Sequence, residues 1–187
     1  MICSGTLFAF SLPGFPGFVI YWKKKEGGGM TEMIRTKRLS LSPCSAERMA
    51  EKREKETDPH LKRAYGEMLS GMESHPEIPE WYADWDIRLL ATGEVVGGAG
   101  FKGGPGDAGE VEVGYGIDPA FQNQGLMSEA LGGIVSWALA RPGVRAVLAE
   151  TEPGNEASVR VLVKNGFREF DKSPNRWFRK TREEGRT

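Results

Sequence analysis

The stretch Asp118-Pro119-Ala120-Phe121-Gln122-Asn123-Gln124-Gly125-Leu126-Met127-Ser128-Glu129-Ala130-Leu131 constrains the chain more than any other. Val111 to Ile117, just before it, reads as a strand. Met127, Leu131, Ile134, Val135 and Ala138 fall at helical spacing. A short polar turn with one glycine therefore delivers a strand straight into a helix. The first N–H groups of a helix lack intrahelical partners, and the helix dipole puts partial positive charge there, so the junction is an anion site. Gly125 removes a side chain where a phosphate would have to meet the backbone. A phosphorylated ligand is expected between strand and helix.

The 187 residues, 39% hydrophobic, suffice for one core and read as a single soluble domain. A net charge of −1 argues against general nucleic-acid affinity, which needs a basic surface. Cys3 and Cys44 have neither metal-ligand spacing nor a disulfide framework, and read as reduced thiols of a cytoplasmic protein. His60 and His75 lie outside any HExxH or CxxC context, so no metal is expected.

Residues 1–29 differ from the rest. Residues 1–22 carry no Lys, Arg, Asp or Glu, and Lys23-Lys24-Lys25-Glu26-Gly27-Gly28-Gly29 follows. A signal peptide would place its positive charge first. A membrane anchor is long enough, but Pro13, Pro16 and several glycines weaken it. Lys-Glu-Gly-Gly can be encoded by purine-rich codons like those upstream of a bacterial start. The favoured reading is therefore a start at Met30 or Met33, with an ordered or membrane-bound extension as the alternative. Residues 1–29 are set aside as an extension, and 30–187 as the domain.

Within the domain, Ile34 to Leu41 reads as a strand. Ser45 caps a charged helix from Ala46 to Glu56. Asp58-Pro59 opens another, with Leu61, Tyr65, Met68 and Met72 on one face. Asp86–Leu90 and Val95–Phe101 form a hairpin, and Glu110–Ile117 is the next strand. The helix 126–140, a strand 144–151, a short helix capped by Asn155, and strands at 167–170 and 176–178 complete the chain. This order implies an α/β (α+β) fold whose sheet is parallel only across the long helix. Gly98-Ala99-Gly100-Phe101-Lys102-Gly103 matches GxGxxG, but Gly104-Pro105-Gly106 follows where a dinucleotide site needs a helix. It reads instead as a glycine-rich strand with close backbone approach.

Two runs together are specific. Gln122, Gly125 and Met127 occupy the places of a Q/R-x-x-G-x-G/A signature, and Asn155…Ser158…Leu162…Gly166-Phe167 follows downstream. On these residues the chain resembles the GCN5-related N-acetyltransferase superfamily (GNAT), over about residues 33–180. Glu112-Val113-Gly114-Tyr115-Gly116-Ile117 and Arg35-Thr36-Lys37-Arg38-Leu39-Ser40-Leu41 resemble the branch of ribosomal-protein N-terminal (alanine/serine) acetyltransferases. The resemblance implies a GNAT-like mixed central sheet of about seven strands flanked by about four helices in one domain.

It also implies acetyl-CoA as cosubstrate, with no metal. Its pyrophosphate is expected on the amides of Gln124, Gly125, Leu126, Met127 and Ser128, with Gln122 and Asn123 of the turn also expected to bind the cofactor. Its pantetheine arm is expected along the strand ending at Ile117, with Asn155 beside it. Glu112 is the candidate base, the backbone N–H near Tyr115 the candidate oxyanion donor, and Ser158 the candidate partner of the thiol sulfur. The acceptor is expected to be an amine: a peptide N-terminus or a small amine. A polyamine or antibiotic acetyltransferase and a non-catalytic CoA sensor are the alternatives. No nucleic-acid or membrane partner is expected, and the chain is expected to be a monomer or homodimer. Two departures matter: Met127 replaces a small residue, and Leu162 stands where many relatives carry a proton-donating tyrosine. The acidic, aromatic segment 67–86 is expected either to rim the acceptor cleft or to be a surface loop anchored by its aromatics.

Overall fold

The computed structural model describes residues 8–11, 19–24 and 30–182. Its strands are β1 (Phe8–Ser11), β2 (Val19–Lys24), β3 (Met30–Arg35), β4 (Leu39–Pro43), β5 (Asp84–Leu89), β6 (Val95–Phe101), β7 (Glu110–Ile117), β8 (Ala146–Thr151), β9 (Arg168–Asp171) and β10 (Arg176–Thr181). The helices are α1 (Ala46–Lys55), α2 (Pro59–Ser74), α3 (Leu126–Leu139) and α4 (Glu156–Lys164). All the strands join one mixed sheet in the order β1-β2-β3-β4-β5-β6-β7-β8-β10-β9. The β7–β8 pair is parallel and is bridged by α3, while the other neighbours are antiparallel. This is the expected α/β architecture, with four α-helices among the described residues.

The sheet is larger than expected for two reasons. The run 34–41 is not one strand: it breaks at Thr36–Arg38 into antiparallel β3 and β4. The Thr36 hydroxyl closes that turn, accepting the Leu39 N–H at 3.1 Å, while the Thr36 N–H donates to the Leu39 carbonyl at 2.9 Å. A Ser/Thr side chain can make a turn in this way without glycine or proline. Further, β1 and β2 lie within the residues set aside as an extension. β2 pairs with the whole of β3, from Val19↔Arg35 to Lys24↔Met30, and Ile20 is buried. Among the described residues no helix is long and apolar enough to cross a membrane.

α3 is apolar on nearly all sides and is buried along almost its whole length, against β3, β4, β6, β7 and β8. Its Trp137 gathers the rings of Trp81, Trp85 and Phe101, with centroids 4.7, 4.9 and 5.8 Å away. Burying a ring of this size is worth roughly 4–6 kcal/mol of transfer free energy. Trp81 and Trp85 are therefore core residues and do not rim a cleft.

The carboxylates flanking Trp85 are also inward. Asp84 and Asp86 on β5 are buried, and Lys52 of α1 places its ammonium 2.5 Å from each. Arg88 at 2.6 Å and Arg48 at 3.6 Å complete the charge balance around Asp86. The charged helix α1 is thus pinned to the sheet by one lysine as well as by buried Met49. Cys44 is buried beside this cluster, and its donor atom lies with those of Asp84 and Asp86 within 4.8 Å. The Lys52 ammonium takes the place a cation would occupy there.

Candidate active site

β7 and β8 run side by side only at their starts. Their pairing ends at Glu112↔Leu148. β7 continues to Ile117 paired with β6 alone, and β8 continues to Thr151 paired with β10 alone. Past Glu112, the β8-facing edge of β7 has no strand partner among the described residues. A wedge therefore opens in the middle of the sheet, lined by backbone N–H and C=O groups.

The mouth of the wedge leads to the signature turn. Pro119–Phe121 makes one turn of 3₁₀ helix after Asp118, and Gln122 leaves it in an extended conformation. Asn123 and Gly125 both take positive φ, 59° and 73°. Gly125 is the N-cap of α3 and has no side chain to satisfy the first N–H groups. A Cβ at Gly125 would meet only Arg38 Nη2, at 3.7 Å, so the approach is open. These features suit a phosphate-bearing ligand. Leu126 and Met127 are buried in the core, so the large Met127 side chain points away from the turn. The Gln122 side chain reaches back toward the Ile117 carbonyl at 3.5 Å, and Ser128 is half-buried.

A clamp holds the turn from outside. Glu129, in the first turn of α3, accepts from the Thr36 hydroxyl at 2.6 Å, the Arg38 N–H at 2.7 Å and Arg38 Nε at 2.7 Å. Arg38 Nη1 also donates to the Gln124 carbonyl at 3.0 Å. The β3–β4 turn thus fixes the cofactor turn and adds positive charge beside it. Burial raises the Glu129 pKa, but these hydrogen bonds and the Arg38 charge outweigh it and hold the carboxyl below its ordinary range. Sequence reading singled out neither residue as functional. The Arg38 and Glu129 pairing is invisible along a chain that separates them by 91 positions.

On the wedge itself, the Tyr115 hydroxyl and Ser158 Oγ share a hydrogen bond of 2.8 Å, joining β7 to the start of α4. Asn155 caps α4, its side chain accepting the Ser158 N–H at 3.0 Å. Burial pushes the Tyr115 pKa up, against a smaller opposite effect of the Ser158 hydrogen bond. Leu162 is fully buried in the core. Glu112 sits at the fork, ion-paired with Lys102, whose ammonium also lies 3.7 Å from Glu150 of β8. The Lys102 side chain is 62% exposed and Glu112 only 20%, so the lysine is the freer partner.

Beside the fork, a cleft of about 920 Å³ lies between α2 and strands β6 and β7. Its lining includes Tyr65 and Met68 of α2, Tyr82, Lys102, and Gly114 and Gly116 of β7. The glycine-rich motif 98–103 lies at the end of β6 and in the loop after it, with no helix following, as its context required. Cβ atoms at Gly97, Gly98 and Gly100 would fall 2.4 Å from the Gly116 carbonyl oxygen, 2.7 Å from Asp84 and 3.0 Å from the Ala83 carbonyl oxygen.

The acetyltransferase (GNAT) domain family matches residues 38–168. The uncharacterized N-acetyltransferase YjdG of Bacillus subtilis (strain 168) is 34% identical over 86 residues, covering 46% of this chain and 51% of that protein. The chain thus matches about half the length of that curated relative. Among solved structures, the ribosomal-protein-S5-alanine acetyltransferase from Vibrio fischeri superposes with a TM-score of 0.64 at 14% identity, over 83% of this chain and 99% of that one. Mycobacterium smegmatis RimJ, in complex with CoA-disulfide, superposes with a TM-score of 0.62 at 18% identity, over 95% and 93%. The parted β7–β8 pair, the glycine-capped helix beside it and the family match over most of the domain agree: this chain belongs to the GNAT acetyltransferase family.

Proposed function

We propose that the chain is an acetyl-CoA-dependent N-acetyltransferase whose acceptor is a primary amine, with a protein or peptide N-terminus as the first candidate. The observation that carries this reading is the wedge between β7 and β8 opening beside the Gly125 cap of α3. The free edge of β7 matches the amide groups of a pantetheine arm, and the αL cap and first turn of α3 match a pyrophosphate. When bound, acetyl-CoA supplies the activated acetyl group and a thiolate leaving group.

The chain's own residues then have three tasks. Glu112 takes the proton of the incoming ammonium, directly or through water, after Lys102 swings off its carboxylate. The backbone N–H near Tyr115, on the free edge of β7, donates to the developing oxyanion. The Tyr115–Ser158 hydroxyl pair returns a proton to the sulfur, the task left open by Leu162. Arg38 and Glu129 act as positioning residues for the turn.

A CoA-binding sensor without turnover is the second reading, favoured by the buried Leu162. A panel of peptides and small amines incubated with acetyl-CoA, read by thiol release and acetylated product, separates the two. Release that depends on an amine supports the transferase. Tight CoA binding with no acetylated product supports the sensor.

A further inference from the structure

Glycine inside a strand loses more conformational entropy than other residues and offers nothing to pack, at a cost of roughly 0.5–1 kcal/mol. In β6 the fold itself requires glycine, because Cβ atoms would collide with neighbouring strands. At Gly114 and Gly116 of β7 it does not. Neither has a positive φ. A Cβ at either would meet no atom within 4 Å. Both are exposed, and both line the cleft beside Glu112. A glycine that neither backbone nor packing requires marks a close approach from outside.

The opposite wall is equally unexplained by the fold. α2 carries Leu61, Tyr65, Met68 and Met72 on one face, yet no residue of this helix is buried. Leu61, Tyr65 and Met68 line the cleft instead, with Leu61 48% exposed. Three of the carboxylates in and beside the cleft are ion-paired, while Asp118 at the β7 end of its lining has no ion pair among the described residues. Lys52 holds Asp84, Lys102 holds Glu112, and Arg63 holds Glu67. Glu56 accepts the Thr57 and Asp58 N–H groups. An uncovered apolar wall selects its occupant by apolar fit.

Building on the acetyltransferase reading, we propose that Gly116 sets the depth of the acceptor subsite, and that the accepted amine carries an apolar group lying over Gly114 and Gly116 against Tyr65 and Met68. The acceptor class is a primary amine on an apolar group, such as a peptide whose first side chain is apolar. A polyamine is the weaker fit, because it offers no uncharged apolar group to the wall of Leu61, Tyr65 and Met68.

The test is Gly116→Leu, assayed with a leucine- or phenylalanine-initiated peptide and with spermidine. The variant should melt no lower than wild type, because a Cβ there meets no atom within 4 Å, the cleft leaves room beyond it, and the strand loses a glycine. CoA affinity by calorimetry should equal wild type. For the apolar peptide, kcat/KM should fall about a hundredfold, the scale on which pocket volume discriminates substrates. Wild type should prefer the apolar peptide to spermidine. Unchanged kcat/KM in the variant, or a wild-type preference for spermidine, overturns the subsite. Lost CoA affinity overturns it too, by showing that Gly116 makes room for the cosubstrate. If wild type binds CoA yet acetylates no amine, the transferase reading itself fails, a result distinct from any behaviour of the variant.

Discussion

Arg38 grips both oxygens of Glu129: its backbone N–H donates to Oε1 and its Nε to Oε2, each at 2.7 Å. The carboxylate is thereby fixed at the helix end where negative charge is favoured, and the Gln124–Gly125 turn is held beside it.

Glu129→Gln should lower stability at pH 7 by roughly 1.5 kcal/mol, the scale of a hydrogen bond to a charged group, and weaken CoA several-fold. Because the folded carboxyl lies below its ordinary value of 4.5, the clamp contributes fully above that pH and is lost as pH falls through the folded value. Urea melts from pH 7 to pH 3 should therefore show a shallower acid loss in Glu129→Gln than in wild type. Equal slopes would remove Glu129 from the clamp.

Lys52→Met should cost about 3–5 kcal/mol, since it leaves two buried carboxylates facing each other. Denaturant melts read this directly, and a loss under 1 kcal/mol, the range of an exposed pair, would contradict it. The Cys44 thiol reports on the same region. Burial, against the opposing Lys52 charge, pushes it up to about 12, so it should not react with a disulfide reagent at pH 8 until α1 leaves the sheet. In Lys52→Met that reaction should be faster.

For catalysis, Glu112→Gln should lower turnover by roughly 10²-fold at unchanged CoA affinity, within the usual span for a general base. Tyr115→Phe should lower it by roughly tenfold and shift the alkaline limb of the pH–rate profile. Ser158→Ala should do less if water replaces its hydroxyl. Rates against pH for the three variants decide. A Glu112→Gln enzyme with full rate and an unchanged profile would return Glu112 to the role of Lys102's ion-pair partner.

A chain begun at Met30 loses β2 and with it the cover of Ile20 and the outer edge of β3. It should melt at a lower temperature yet bind CoA like the full chain, because the wedge and turn draw on residues 112–158. Intact mass from the native host identifies the start used there. A mass that includes Met1 or Ile2 would sink a start at Met30 or Met33.

The sequence carried the turn, the three capped helices and the hairpin because each rests on local chemistry: Gly125 at positive φ, Ser45, Asp58 and Asn155 as caps, and Gly166 at φ 79°. Thr36–Arg38 carries no turn signal in the sequence, because a threonine hydroxyl, and no glycine, turns the chain. The acidic segment was legible only in part: Glu67, Tyr82 and Asp84 line the cleft, while Trp81 and Trp85 anchor it in the core. Asp84, Trp85 and Asp86 are all buried because both faces of β5 are covered, and only the fold brings Lys52 and Trp137 to them. Two features of Gly114 and Gly116, their ordinary φ and their empty surroundings, emerge only in three dimensions.

Calorimetry of CoA with wild type, Gly125→Ala and Gly125→Glu tests the cosubstrate turn most directly. All three should fold, and Gly125→Ala should lose little beyond the strain of a side chain at φ 73°. Gly125→Glu adds a carboxylate where the pyrophosphate is expected and should lose CoA affinity at least tenfold further, about 1.4 kcal/mol. Wild-type affinity in a folded Gly125→Glu would mean that the phosphates bind elsewhere and that the turn before α3 is not the donor site.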